Sequence, residues 1–219
     1  MLVAAPAAAQ VTGSVTLQSD YRFRGYALGD EPAAILNLSW DHVSGIYLNG
    51  SAIASFDEDG KPVLLGDIAN IGYARRLNPR LSIEGGVTRF EYRERYGDYT
   101  HFTEVYVGVL GSGLSARIHY SPDYFDPHAA TLYGEVEAVA EPLPKLRVNA
   151  HLGVLAWLST PCGTDLPTRY DWRIGVSRPV GPFDLHATLS VGGPGGNPYD
   201  RRTDGYGETG FTVGATWTF

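Results

Sequence analysis

Apolar and polar side chains alternate along most of this 219-residue chain. Its last nine residues, FTVGATWTF, place Phe211, Val213, Ala215, Trp217 and Phe219 on one face of an extended segment, and only Gly and Thr on the other. Successive side chains of a strand point to opposite sides, so this two-residue period predicts a β-strand with one apolar face.

The same period recurs from Val11 onward and predicts twelve strands, whereas no stretch has a convincing helical period. The polar faces of many of these strands carry full charges, while the apolar faces carry almost none. The predicted strands span residues 11–24, 33–41, 46–56, 63–75, 81–92, 101–110, 114–121, 131–140, 146–157, 169–178, 183–191 and 209–219.

The connections between the predicted strands alternate in length. Short turns rich in Gly and Pro, which tight turns favour, occur at VSG, LNPR, GSG, EPLPK and PVGP. Longer polar and aromatic connections, such as SPDYFDPHAA, lie between them. Short turns at one rim and long loops at the other are typical of bacterial outer-membrane barrels. The predicted fold is therefore all-β: a single transmembrane antiparallel up-and-down β-barrel of twelve strands.

Alternation alone fits both a soluble barrel with an apolar interior and a membrane barrel with an apolar exterior. The aromatic residues favour the membrane barrel, because they cluster toward the strand ends of the apolar face, as two interfacial girdles would. Those assigned to the long-loop end are Tyr21, Phe23, Tyr120, Tyr170 and Trp172, and those assigned to the short-turn end are Trp40, Tyr73, Trp217 and Phe219. The apolar face is therefore predicted to contact membrane lipid.

Composition narrows the function classes. The formal net charge is −7 and no run of Lys and Arg occurs, so nucleic acid is excluded as a partner. Mean hydropathy is −0.14 and no apolar run approaches about 18 residues, which excludes membrane-spanning helices but not alternating membrane strands. The single cysteine, Cys162, cannot form an internal disulfide.

The two ends of the sequence suggest export to the bacterial outer membrane. MLVAAPAAAQ resembles the tail of a secretory signal peptide, so residues 1–9 are predicted to be its remnant and residues 10–219 the barrel. The terminal aromatic, Phe219, resembles the signal by which the outer-membrane assembly machinery recognises its clients. The expected location is the outer membrane of a Gram-negative cell.

The polar face supplies the candidate functional residues. The predicted lumen-lining residues are Asp20, Arg22, Arg24, Glu84, Glu104, Arg117, His119, Glu135, Glu137, Arg147, Asn149, His151, Asp171, Arg173, Asp184 and His186. Twelve tilted strands close at a backbone radius on the order of 12 Å, so the lumen is narrow and its charges are expected to pair. Two interpretations stay open: a constriction of opposed charges that sorts small polar solutes, formed by Arg22 and Arg24 against Asp171 and Arg173, or a salt-bridged plug.

Enzyme and metal chemistry have little support in the sequence. No G-x-S-x-G nucleophile motif occurs, the six histidines lack ligand spacing, and DEDG at residues 57–60 is too short for a calcium loop. We therefore expect no enzyme activity, no metal and no cofactor.

One segment carries a family resemblance. SDYRFRGYALGDEPA, Ser19 to Ala33, with the signal-like start, the strand layout and Phe219, resembles the TorF family of proteobacterial outer-membrane proteins. That family is a group of candidate porins whose function is not demonstrated. The resemblance implies a barrel with a channel role for small polar solutes, and it transfers no binding residue. The alternatives are a closed-lumen barrel with a structural or loop-mediated binding role and, third, an outer-membrane enzyme.

Overall fold

The computed structural model describes residues 9–29, 31–56, 59–93, 99–160, 166–194 and 208–219. Its strands are β1 (Gln10–Gln18), β2 (Tyr21–Phe23), β3 (Tyr26–Gly29), β4 (Ala33–Asp41), β5 (Ile46–Phe56), β6 (Pro62–Asn78), β7 (Leu81–Arg93), β8 (Tyr99–Gly111), β9 (Leu114–Ser121), β10 (Thr131–Leu143), β11 (Leu146–Trp157), β12 (Arg169–Val180), β13 (Phe183–Gly193) and β14 (Glu208–Thr218). Among these described residues, no helix has the length and hydrophobicity to cross a membrane.

Twelve strands form one closed antiparallel barrel, in which each strand pairs with its neighbour in sequence and β1 pairs with both β4 and β14. The seam is continued by Gly13 and Phe219: the Gly13 N–H donates to the Phe219 carbonyl (2.9 Å), and the Phe219 N–H donates to the Gly13 carbonyl (2.8 Å). Closure pairs every edge of this sheet. The predicted all-β, twelve-stranded antiparallel barrel is confirmed.

The two rims differ as the sequence predicts. At the short-turn rim, residues 42–45, 79–80, 112–113, 144–145 and 181–182 connect consecutive strands. Gly45, Gly113 and Gly181 adopt φ values of 94°, 77° and 61° there, a left-handed backbone that favours glycine. The long connections leave from the opposite rim. Residues 1–8 of the predicted signal remnant, part of DEDG and Cys162 lie outside the described residues.

The outer face of the barrel is an apolar band. Val107, Ile118 and Leu152, at alternate positions of their strands, have exposed fractions of 65%, 53% and 55%. Tyr73 and Tyr170, assigned to opposite girdles, also point outward, each 49% exposed. So much apolar surface around the whole circumference of a barrel is typical of contact with lipid rather than water.

The first predicted strand is wrong beyond Gln18. Residues 11–24 were expected to form one wall strand, but β1 ends at Gln18, and β2 and β3 pair as a separate hairpin inside the barrel. Arg24 and Gly25, with φ of 48° and 82°, make its turn. A two-residue period describes a strand equally well in the wall or in the lumen, so periodicity could not distinguish the two positions.

The assignment of Tyr21 and Phe23 to a lipid-facing girdle is therefore also wrong. The Phe23 ring lies inside the barrel, with its centroid 5.4 Å from that of Phe90 and 6.2 Å from that of Phe102. Tyr21 packs against the same buried cluster. Both side chains seal the interior instead of anchoring the wall in the membrane.

Large rings fit inside the narrow barrel because glycines face them from the neighbouring strand. A Cβ at Gly86 would lie 2.6 Å from the Tyr106 hydroxyl, and a Cβ at Gly153 would overlap the Tyr133 ring. Each tyrosine ring thus lies over the backbone of a glycine, in the space where a side chain at that position would project.

Candidate functional site: the barrel lumen

The barrel encloses a cavity of about 820 Å³. Thirteen of the sixteen predicted lumen residues line it: Arg22, Arg24, Glu104, His119, Glu135, Glu137, Arg147, Asn149, His151, Asp171, Arg173, Asp184 and His186. The other three, Asp20, Glu84 and Arg117, are not among its lining residues and form ion pairs with one another or with lining residues.

The two ends of the cavity differ in access. At the short-turn end, the side chains of Arg147 and Asp184 are 49% and 34% exposed. At the hairpin end, the side chains of Arg24 and Glu104 are 9% and 1% exposed. Water therefore reaches the cavity from the short-turn rim, and the hairpin covers and narrows the opposite end.

Arg24 anchors the hairpin turn to the barrel wall. Its Nη2 donates to both carboxylate oxygens of Glu104, at 2.8 and 2.9 Å, and its guanidinium lies 3.7 Å from the centroid of the Tyr133 ring. The Tyr133 hydroxyl donates in turn to Asp171 (3.0 Å). The expected constriction between Arg24 and Asp171 is thus replaced by the pair with Glu104, and Arg24 connects to Asp171 through Tyr133.

Arg22 joins the hairpin to β14. Its Nε donates to Asp20 (2.5 Å) and its Nη1 to Glu208 (2.8 Å), and Glu208 also accepts the N–H of Ala27 (3.1 Å). The guanidinium packs directly over Gly210, where any side chain would collide with it. Its partners are not Asp171 and Arg173, as the sequence had suggested, because β2 has left the wall. Burial raises the pKa of the hairpin's Tyr26 hydroxyl, which stays protonated.

An aromatic cluster fills the long-loop half of the lumen. Phe90 and Phe102 stack with centroids 4.4 Å apart, and Tyr124 and Phe125, from the connection after β9, pack on Phe102 at 4.9 and 4.6 Å. Sequence reasoning did not single out these residues. The sequence did contain a signal for Phe102: it lies two residues from Glu104 on the same strand, so both side chains point to the inside of the barrel.

Ion pairs run around the lumen wall from β7 to β10. Arg117 donates to Glu84 (2.6 Å) and lies 3.5 Å from Glu135. His119 lies between two carboxylates, 3.4 Å from Glu104 and 3.3 Å from Glu135. The predicted pairing of inward charges is present along this wall.

A second group of ion pairs surrounds His151, which lies 3.1 Å from Glu137 and 2.8 Å from Asp171. Arg173 donates to the same Glu137 (2.5 Å). Ligand-type atoms of Glu135, Glu137 and His151 lie within 4.8 Å of one another, a spacing that could hold a metal ion. Because these atoms already contact oppositely charged groups, we assign no metal there, and its absence stays a prediction.

Hydroxyl groups line the cavity on the last three strands, a surface called here the hydroxyl wall. Residues of β12, β13 and β14 line it with small polar side chains: Ser177, Thr188, Ser190, Thr212, Thr216 and Thr218. Sequence reasoning concentrated on charges and missed them, although each has the inward parity of the charged residues on its strand. This hydroxyl wall shares β12 and β13 with the ion pairs of Asp171, Arg173 and Asp184.

A family model described as "Bacterial protein of unknown function (Gcw_chp)" matches residues 3–217. The chain belongs to this family. The Gcw_chp match covers almost the whole sequence, including the hairpin and all barrel strands. The description of this family differs from that of the TorF family, which the segment from Ser19 to Ala33 resembles. None of the curated proteins matches the sequence.

Solved structures of porins share the fold of this Gcw_chp protein. The KdgM porin aligns with a TM-score of 0.58 and 14% identity, over 95% of this chain and 99% of that chain. The NanC porin aligns with a TM-score of 0.63 and 9% identity, over 93% of this chain and 98% of that chain. An outer-membrane channel from Pseudomonas putida F1 aligns with a TM-score of 0.52 and 12% identity, over 98% of this chain and 96% of that chain. The chain thus has the fold of bacterial outer-membrane porins.

Proposed function

We propose that this protein is a porin of the bacterial outer membrane, a narrow passive channel for small polar or charged solutes. The observation that carries the proposal is the cavity of about 820 Å³ inside a closed barrel, lined by polar and charged side chains and accessible from the short-turn rim. Such a lining selects solutes by size and by hydrogen bonding, with no reaction at any residue.

The apolar band supports the membrane location in this proposal. Membrane lipid covers the outer face, and the aromatic side chains at its two ends lie in the interfaces. We further propose that the assembly machinery recognises β14 with its terminal aromatic, and that the protein is related to the TorF family. As a passive channel it has no enzyme activity and needs no cofactor.

A second candidate is a closed barrel with a structural role or with loops that bind a partner. It is favoured by one observation: the hairpin, held by the buried Arg24 and Glu104, covers the long-loop end of the cavity. The aromatic cluster of Phe90 and Phe102 fills the space beside it.

Single-channel recording in planar bilayers distinguishes the two candidates. We expect the refolded protein to conduct, and a variant with residues 21–29 replaced by a Gly-Ser linker to conduct more, because Phe23 and Arg24 are removed. A silent protein with a conducting linker variant would favour the closed barrel. Silence of both would contradict the channel. Arg75→Gln, which changes an exposed charge outside the cavity lining, is the control and should leave conductance unchanged.

A further inference from the structure

We infer that the solutes accepted by this lumen are uncharged and rich in hydroxyl groups, such as small saccharides, and that they bind beneath the hairpin where the ion pairs adjoin the hydroxyl wall. The inference rests on the proposed porin function and narrows its solute class. Three features of the cavity carry it: the pairing of its charges, a buried hydroxyl without a partner among the described residues, and an aromatic inner end.

The charged groups in the cavity lining are held in contacts with one another. Each of the four arginines among its described residues contacts a carboxylate, and Arg173 contacts Glu137 at 2.5 Å. The carboxylates are likewise engaged, as Asp171 is with His151 at 2.8 Å. An ion that enters therefore meets groups that already have a partner.

An ion that enters such a cavity gains little. It loses part of its hydration, which is costly in a confined space, and it can reach a counter-charge only by breaking an existing pair such as Arg173–Glu137. A neutral solute with several hydroxyls loses weaker hydration and exchanges it for hydrogen bonds with the same groups. The paired lining thus discriminates against net charge.

The hydroxyl wall contains a group that needs a partner. Ser190 is 5% exposed, lines the cavity, and its Oγ has no hydrogen-bond partner among the described residues. In the strand register Ser190 lies directly opposite Arg173, and Thr188 precedes it on the same face. A buried hydroxyl left unsatisfied is unfavourable, so this position attracts a hydroxyl-bearing molecule, either solute or water.

The inner end of the cavity offers a different surface. The rings of Phe23 and Tyr133 line it beneath the hairpin. A cyclic saccharide has hydroxyls around its edge and C–H groups on its faces, so its faces suit these rings and its edge suits the hydroxyl wall. The volume of about 820 Å³ lies within the usual range of small-molecule sites, about 300–1,000 Å³.

The test is proteoliposome swelling with three solutes of one size: glucose, the anion glucuronate and the cation glucosamine. We expect glucose to enter roughly fivefold faster than either ion at low salt, since neither ion finds a free counter-charge. Equal rates, or faster entry of an ion, would overturn this inference and leave the porin function standing. If no solute enters, the porin proposal fails, and this inference fails with it.

Variants make the test independent of the absolute rate. Glu137→Gln removes the carboxylate that Arg173 contacts and should raise the ratio of glucuronate to glucose entry. Arg173→Gln leaves Glu137 with His151 as its remaining contact and should raise the ratio for glucosamine. Ser190→Ala should slow glucose alone, and Ser51→Ala, a serine outside the cavity lining, is its control. Unchanged ratios in both charge variants would contradict the role assigned to the pair.

Discussion

Arg24 Nη2 donates to both oxygens of Glu104, a carboxylate that is 1% exposed and 80 residues away in sequence. The pair joins the turn of an internal hairpin to strand β8. It is therefore both a buried ion pair and the attachment of the hairpin to the barrel wall.

Breaking this pair should destabilise the barrel. Glu104→Gln leaves the Arg24 charge buried without a carboxylate, and loss of one partner of a buried pair typically costs about 3–5 kcal/mol. Urea unfolding in lipid vesicles measures the change in the free energy of unfolding. The double variant Arg24→Met with Glu104→Gln should lose less stability than Glu104→Gln alone.

The exposed pair of Lys61 with Asp59 is the control, since Lys61→Met should lower the free energy of unfolding by less than about 1 kcal/mol. A similarly small loss in Glu104→Gln would contradict the account of the hairpin attachment.

Facing along β11 can be tested at one outward and one inward position. Leu152, in the middle of the strand, lies on the outer face and is 55% exposed, so Leu152→Arg should cost about 2–4 kcal/mol near the bilayer midplane. Asn149 lines the cavity, and Asn149→Arg should cost much less because the new charge meets water and polar groups. The same urea titration in vesicles compares them, and equal losses would mean that the facing is misassigned.

The barrel seam depends on a glycine. A Cβ at Gly13 would lie 2.5 Å from the Phe219 ring, so Gly13→Val should weaken the pairing of β1 with the end of the chain and cost about 1–3 kcal/mol. Gly50 is the control, because a Cβ there meets nothing within 4 Å. Folded and unfolded barrels migrate differently on SDS gels, so samples heated to increasing temperatures report the unfolding temperature. We expect Gly13→Val to unfold at a lower temperature than Gly50→Val. The reverse order would contradict the contact.

Phe23 seals the aromatic cluster, so Phe23→Ala should widen the path through the lumen. We expect higher single-channel conductance than in the unmodified protein. Phe211→Ala removes an equal ring from the outer face, where Phe211 is 65% exposed, and should leave conductance unchanged. An effect confined to Phe211→Ala would show that the conducting path does not pass the hairpin.

The strand pattern of the barrel could be predicted from sequence because it depends on local properties. The period of two sets which side chains share a face, and the turn residues mark where strands end. Glu135 and Glu137, two apart on β10, both line the cavity, while Val136 between them is 44% exposed on the outer surface. The same local rule failed at Tyr21 and Phe23, where a strand of equal period lies inside the barrel.

Only the tertiary structure decided which inward groups meet. Parity places Arg24 and Glu104 inside, but their pairing depends on the hairpin's path and on the register of β8, neither of which is a local property. The same holds for the cluster of Phe90 and Phe102 and for the hydroxyl wall around Ser190. The sequence by itself determined the barrel and the composition of its interior, because alternation acts residue by residue. Long-range register and the inward fold of β2 and β3 decided which inward charges pair and that the hairpin covers one end.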